Sequence, residues 1–179
     1  YEENGAFVIC KSEVIRNRKS RIGDNIEIFP LSEEESIDID TKNDWVTAEN
    51  ILIRKNIAFV TNGDFTIGMG HIYRSITLAL KLSNHNIHFF SHKDALLGIR
   101  KLESLNYKVN VFNNYDELAD DLKKRNIDIV INDILDTDCE YIKRLKDNGF
   151  FVVNFEDIGK GSGICDLLFN ALYEKTGNN

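Results

Sequence analysis

His71 and Arg74 follow a glycine-rich stretch, Gly68-Met69-Gly70, at a spacing suited to work on a phosphorylated ligand. The first turn of a helix leaves its N–H groups unpaired and carries the positive end of the helix dipole, so it attracts anions. Gly68 and Gly70 would let the backbone approach a diphosphate with no Cβ in the way. His71, at the helix start, is placed to act as a general base. Arg74, one turn on and on the same side, is placed to offset phosphate charge. Glycines after a strand also serve as plain turn residues, and a histidine at a helix start as a cap or surface group. The four residues alone leave both readings open.

A second constellation lies upstream. In Ile37-Asp38-Ile39-Asp40 the alternation of an extended chain sends Asp38 and Asp40 to one side while Ile37 and Ile39 face a core. Two converging carboxylates suit a hard cation such as magnesium that also holds phosphates. The same alternation describes a half-buried strand with a solvated face.

The elements that must position these residues differ along the chain. Ile57 to Thr61 reads as a buried strand, Asn62 to Gly70 as a turn-rich loop, and the helix after it presents Ile72, Ile76, Ala79 and Leu80 on one face. Strands over Ile87–Phe90, Lys108–Phe112, Ile127–Ile131, Phe150–Phe155 and Leu167–Phe169 then alternate with helices over Ala95–Leu105, Tyr115–Arg125 and Asp138–Asn148. Strands apolar on both faces, alternating with amphipathic helices, predict an α/β fold with a Rossmann-like parallel sheet covered on both sides. Ligands of such sheets sit at the carboxyl ends of the strands, which selects Asn62, Asp64, Asn132, Asp133, Glu156 and Asp157. Each is equally at home as a turn residue, and Gly159 to Gly163 as a lid or a connection. The charged run DELADDLKKRN reads as a solvated helix face.

Residues 1 to 55 are organised otherwise, as a small α+β segment. Ala6–Cys10 and Ile26–Phe29 read as strands, the second ended by Pro30, with a basic stretch over Glu13–Lys19 between them. Thr41 or Asn43 caps a helix that runs to about Arg54 with Trp45, Ala48, Ile51 and Leu52 on its apolar side. The expected division is therefore 1–55 and 56–179.

Composition limits the partners. A net charge of −7 argues against nucleic acid or an anionic membrane as the main partner. No apolar run approaches the length of a membrane span. Three scattered cysteines, Cys10, Cys139 and Cys165, read as reduced thiols of a cytoplasmic protein. The chain begins at Tyr1 and its single methionine is Met69, so a longer parent protein is expected.

Two resemblances follow from particular stretches. NGAFVIC, RIGDNIEIFPL and ESIDIDTKNDWVTAENIL resemble the C-terminal end of acylneuraminate cytidylyltransferases, the CMP-sialic acid synthetases. That resemblance implies magnesium and CTP for Asp38 and Asp40, and a homodimer contact through the N-terminal segment. It covers about the first 53 residues and leaves out the nucleotide-binding half of such an enzyme.

IGMGHIYRSITLA, INDILDTD and NFEDIGKGSGICDLLFNALYE resemble the N-terminal half of the UDP-sugar hydrolase of the pseudaminic acid pathway and of its spore-coat-polysaccharide relatives. These share the two-domain GT-B fold of glycosyltransferases. The resemblance implies that His71 works on the water that cleaves a UDP-aminosugar, with Asn62, Asp64, Gly68, Gly70, Arg74, Asp133 and Asp157 around the substrate and no cofactor. Two positions depart from that family's pattern: Asn62 stands in place of an aspartate, and Leu135 in place of a tyrosine. Together the stretches imply part of a bifunctional nonulosonic acid biosynthesis protein. A GT-B glycosyltransferase and a non-catalytic nucleotide-sugar-binding or dimerising module are the alternatives.

Overall fold

A computed structural model describes residues 5–171. Tyr1 and Asn4 at one end, the Leu172–Glu174 end of the second resemblance, and the outermost parts of the two expected segments lie outside the described residues. The chain divides into two compact units, Tyr1–Ile53 and Arg54–Asn179.

In the first unit, α1 (Ser12–Arg18) and α2 (Lys42–Leu52) are the regular elements among the described residues. The strands expected over Ala6–Cys10 and Ile26–Phe29 do not form. The two stretches meet through the rings of Phe7 and Phe29, whose centroids are 5.7 Å apart, with no β-ladder between them. Without ladder hydrogen bonds an extended segment is only an extended segment. The basic stretch becomes α1, since Glu13 in its first turn and Arg16 and Arg18 in its last complement the helix dipole. Ile37–Asp40 is likewise not a strand, and Ile39 is exposed rather than turned to a core. Helix α2 begins where expected, in a capping box in which Thr41 and Asp44 each bond the other's backbone N–H. It buries none of its side chains, and Trp45 and Leu52 are exposed.

The second unit is an α/β sheet of six parallel strands: β1 (Asn56–Thr61), β2 (Asn86–His92), β3 (Val109–Phe112), β4 (Ile129–Asp133), β5 (Phe151–Phe155) and β6 (Leu167–Phe169). Their spatial order is β3-β2-β1-β4-β5-β6, that of a doubly wound Rossmann-like sheet. Helices α3 (Gly70–Lys81), α4 (Leu96–Ser104), α5 (Tyr115–Lys124) and α6 (Cys139–Asp147) form the crossovers.

Strand alternation splits the interior into two cores. Ile57, Phe59, Phe89, Ile131 and Val153 pack with Ile72, Ile76 and Ala79 of α3 and Leu102 of α4. Ala58, Val60, Phe90, Val130 and Val152 pack with Leu118 and Leu122 of α5 and Ile142 and Leu145 of α6. The period of two that builds these cores also aims the polar residues at the strand ends. Asp133 continues the series of Ile129 and Ile131 toward α3, whereas Asn132 continues that of Val130 toward α6.

Gly63 and Gly98 make a close approach possible between the loop after β1 and α4. A Cβ on Gly63 would stand 2.6 Å from Ile72 Cγ1, and one on Gly98 would stand 2.9 Å from the Gly63 backbone nitrogen. Gly98 N–H donates to the Gly63 carbonyl at 2.8 Å. Gly159–Gly163 is neither a lid nor a slack connection. Lys160–Gly163 forms a 3₁₀ turn in which Gly161 is buried and donates its N–H to the Thr137 carbonyl at 2.9 Å.

Candidate functional site

β1 and β4 are neighbours in the sheet although three strands apart in sequence, and this is the point where the order of winding reverses. Crevices at such points collect ligands. Thr61 at the end of β1 pairs in register with Asp133 at the end of β4, and the loop after β1 leads into α3, which begins at Gly70. His71 in the first turn of α3 and Arg74 at the start of the second therefore project toward the end of β4.

The three side chains meet there. His71 Nδ1 lies 2.6 Å from Asp133 Oδ1. Arg74 donates from Nε to Asp133 Oδ2 at 2.7 Å and from Nη2 to Oδ1 at 2.5 Å. Its remaining nitrogen, Nη1, is 2.6 Å from Glu156 Oε1. The guanidinium carbon lies 5.7 Å from the centroid of the Phe155 ring. Asp133 is 1% exposed and His71 7%.

The carboxylate fixes the imidazole tautomer. Asp133 is an acceptor, so Nδ1 carries a proton and donates it. The 3.3 Å separation of Arg74 Nη2 from His71 Nδ1 is then the spacing of two donors sharing one oxygen. His71 Nε2 is left as the acceptor, with no hydrogen bond of its own among the described residues, and it is not among the buried polar atoms that lack a partner. The arrangement is a histidine oriented by an aspartate that is itself held by an arginine. Hydrogen bonding to Asp133 raises the proton affinity of the Arg74 guanidinium well above its ordinary value; burial opposes this, and Glu156 adds to it. Arg74 thus holds two carboxylates, a role beyond the phosphate contact expected from the sequence.

The other selected residues fall into separate roles. Asp157 is 1% exposed and bonded on all sides. It accepts from Thr137 N–H at 3.0 Å, the Thr137 hydroxyl at 2.6 Å, Asn154 Nδ2 at 2.5 Å and Gly159 N–H at 2.8 Å. It braces the loops after β4 and β5. Asn132 belongs to the same buried network, accepting from the Tyr141 hydroxyl at 2.7 Å and donating to Asn154 Oδ1 at 2.9 Å. Asn62 accepts from His92 N–H at 2.9 Å and from the Ser91 hydroxyl at 3.3 Å, tying the end of β1 to β2. Asp64 folds its own loop, with Oδ1 accepting from Thr66 and Ile67 N–H at 2.6 and 2.8 Å.

Gly68 has φ of +79°, a conformation that favours glycine, and open space surrounds both Gly68 and Gly70. The backbone there is accessible to a ligand. Asp38 and Asp40 are both exposed, and no group of three or more His, Cys, Asp or Glu side chains arranged for a metal occurs among the described residues.

Sequence reasoning missed Phe155 beneath the guanidinium and Thr137, Asn154 and Tyr141 around Asp157 and Asn132. It also missed the strain nearby. Leu135 and Glu156, two and one residues past the ends of β4 and β5, hold φ of 72° and 50°. No side-chain pattern announces a left-handed leucine. The pairing of Asn132 with Asn154 was legible only once β4 and β5 were in register.

Fold and site define a doubly wound parallel α/β unit with a His–Asp–Arg cluster at its switch point. No family model matches the chain. It is similar to MJ1062, an uncharacterized protein of Methanocaldococcus jannaschii, with 28% identity over 120 residues, 65% of this chain and 25% of that protein. The chain thus spans about a quarter of the length of this relative. No helix among the described residues is long and apolar enough to cross a membrane.

Proposed function

We propose that the second unit is part of a nucleotide-sugar enzyme in which His71 acts as general base at the anomeric carbon of a UDP-aminosugar. The observation that carries this reading is the 2.6 Å contact of His71 Nδ1 with buried Asp133, which leaves Nε2 as an acceptor beside an accessible glycine loop. Nε2 takes a proton from water as the water oxygen bonds to the anomeric carbon. The bond from that carbon to the diphosphate oxygen breaks, and UDP leaves with the electron pair. Asp133 stabilises the imidazolium so formed, and the N–H groups at the start of α3 face the diphosphate. The sequence resemblance supplies the substrate class. It also supplies the proposal that Asp38 and Asp40 contribute to magnesium and CTP binding in an intact cytidylyltransferase, and that the N-terminal segment pairs in a homodimer.

The test is UDP release from UDP-N-acetylhexosamine by the intact protein. Substitution His71→Ala should lower turnover by about 10²–10⁴-fold, the range of general-base contributions. Unchanged turnover would remove His71 from the chemistry. UDP release that required an added alcohol would make the protein a transferase using the same dyad. Binding of the UDP-sugar with no turnover under either condition would leave a non-catalytic binding module.

A further inference from the structure

β5 ends in a corner that addresses Arg74 twice. Val153 and Phe155 lie on the α3 side of the sheet, in the core that holds Ile72 and Ile76, while Val152 lies on the α6 side. Simple alternation would send the next side chain, Glu156, to the α6 side and away from Arg74. Instead Glu156 holds φ of 50°, in the left-handed region, and its Oε1 lies 2.6 Å from Arg74 Nη1. The turn in the backbone thus brings two consecutive side chains to one guanidinium. The Phe155 ring has its centroid 5.7 Å from the guanidinium carbon, and the Glu156 carboxylate takes Nη1.

A left-handed glutamate is held against a conformational cost, and the surroundings must supply the hold. β6 supplies it. Glu156 N–H donates to the Phe169 carbonyl at 2.8 Å, and Asn170 Nδ2 donates to the Asp157 carbonyl at 3.0 Å. The Phe155 and Phe169 rings stack with centroids 4.8 Å apart and planes 17° from parallel. The corner is therefore fixed on both sides of Glu156, by a ring before it and an amide after it.

All three guanidinium nitrogens are then engaged, Nε and Nη2 by Asp133 and Nη1 by Glu156. A fork held by Asp133 alone could swing about that carboxylate. A third contact, delivered from a different strand, stops the swing and fixes the plane in which Asp133 meets His71.

We propose that Glu156 is a positioning residue: it locks the Arg74 guanidinium, and through Arg74 and Asp133 it sets the orientation of the His71 imidazole. The inference rests on the general-base reading of His71 and extends that site to the end of β5, with β6 as its brace.

The experiment compares Glu156→Ala with Glu156→Gln in two readouts. In NMR of the isotope-labelled protein, the Arg74 Nε–H signal reports the bond to Asp133. Its exchange with water should quicken about tenfold in Glu156→Ala, as loss of a charge-assisted hydrogen bond implies. Glu156→Gln keeps an oxygen that accepts from Nη1, and should restore most of the protection. In UDP release by the intact protein, kcat should fall about tenfold in Glu156→Ala with KM unchanged, and recover in Glu156→Gln. A role in folding stability alone would lower the melting temperature and leave kcat as it is. That result, unaltered Nε–H exchange, a change confined to KM, or a Glu156→Gln as impaired as Glu156→Ala would each overturn the proposal. Faster Nε–H exchange in Glu156→Ala of a protein that never releases UDP would support the clamp and sink the hydrolase reading alone.

Discussion

Arg74 grips Asp133 at two points, Nε on Oδ2 and Nη2 on Oδ1, and by doing so decides which oxygen meets His71. A bidentate fork fixes a carboxylate in plane as well as in distance, which a single ammonium does not. Replacing Arg74 by lysine preserves the charge and loses the plane. Turnover in UDP release should fall by about 10²-fold, the scale set by misplacing a reacting group, with a smaller change in substrate binding. Steady-state kinetics that showed only a raised KM would assign Arg74 to the ligand instead.

Removal of the guanidinium altogether has a different consequence. Arg74→Ala would take the arginine from a carboxylate that is 1% exposed, leaving it His71, and would take from Glu156 its ion-pair partner. Loss of one partner of a buried ion pair costs on the order of 3 kcal/mol. Chemical denaturation should show that loss, and Arg74→Ala with Asp133→Asn together should recover part of it, because the buried charge is then gone.

The glycines divide into two kinds. Gly98→Ala would drive a Cβ to 2.9 Å from the Gly63 backbone nitrogen and 2.7 Å from Ile72 Cδ1, so α4 must move. Overpacking of this sort costs about 1–3 kcal/mol. Gly70 has open space at the same position, and Gly70→Ala should stay within about 0.5 kcal/mol. Thermal melts of the two variants side by side test the contrast, and equal melting temperatures would contradict it.

Asp166 ties the β5–β6 edge to α6. Lys146 donates to Oδ1 at 2.7 Å and Val152 N–H to Oδ2 at 2.8 Å. The Lys146 bond first, and the Val152 bond next, hold this carboxyl below its ordinary value. A depressed folded-state value means that the stabilisation is complete above the unfolded carboxylate value of about 3.9. It is lost as pH falls through the lower folded value. Asp166→Asn should therefore be less stable than wild type at pH 7, with the gap closing at the acid end of the curve. A gap that stayed constant with pH would rule out the ionised form as its source.

The α/β unit was legible because both of its signals are local. Ile57–Thr61 and Phe150–Phe155 are apolar on both faces, and α3, α5 and α6 carry helical stripes, so strand and helix types follow from period alone. The strand-end rule then put Asp133 on the same edge of the sheet as His71 without a coordinate, though not as its partner. The carboxylate partners of Arg74 were not legible because Asp133 and Glu156 lie far along the chain, and a cation beside a glycine loop looks free until the sheet is assembled. Asp157 was legible as a loop-positioning residue, but not which loops it joins, since its partner Thr137 lies in another loop. In the first unit the period of two over Ile37–Asp40 was real, but alternation makes a strand only where another strand stands beside it.

Not one described residue of the first unit is buried, whereas the second closes two cores around its sheet. Opening free energy follows buried apolar contact, so the two units sit at opposite ends of the protection scale. Amide hydrogens of α1 and α2 should exchange on the timescale of a helix fraying in water, while those of β1 and β4 wait for global unfolding. Brief trypsin treatment should cut at Arg16 and Arg18 and leave the sheet whole. The protein's resistance to proteolysis is thus a property of its second unit, and heat capacity measured on unfolding will report that unit almost alone.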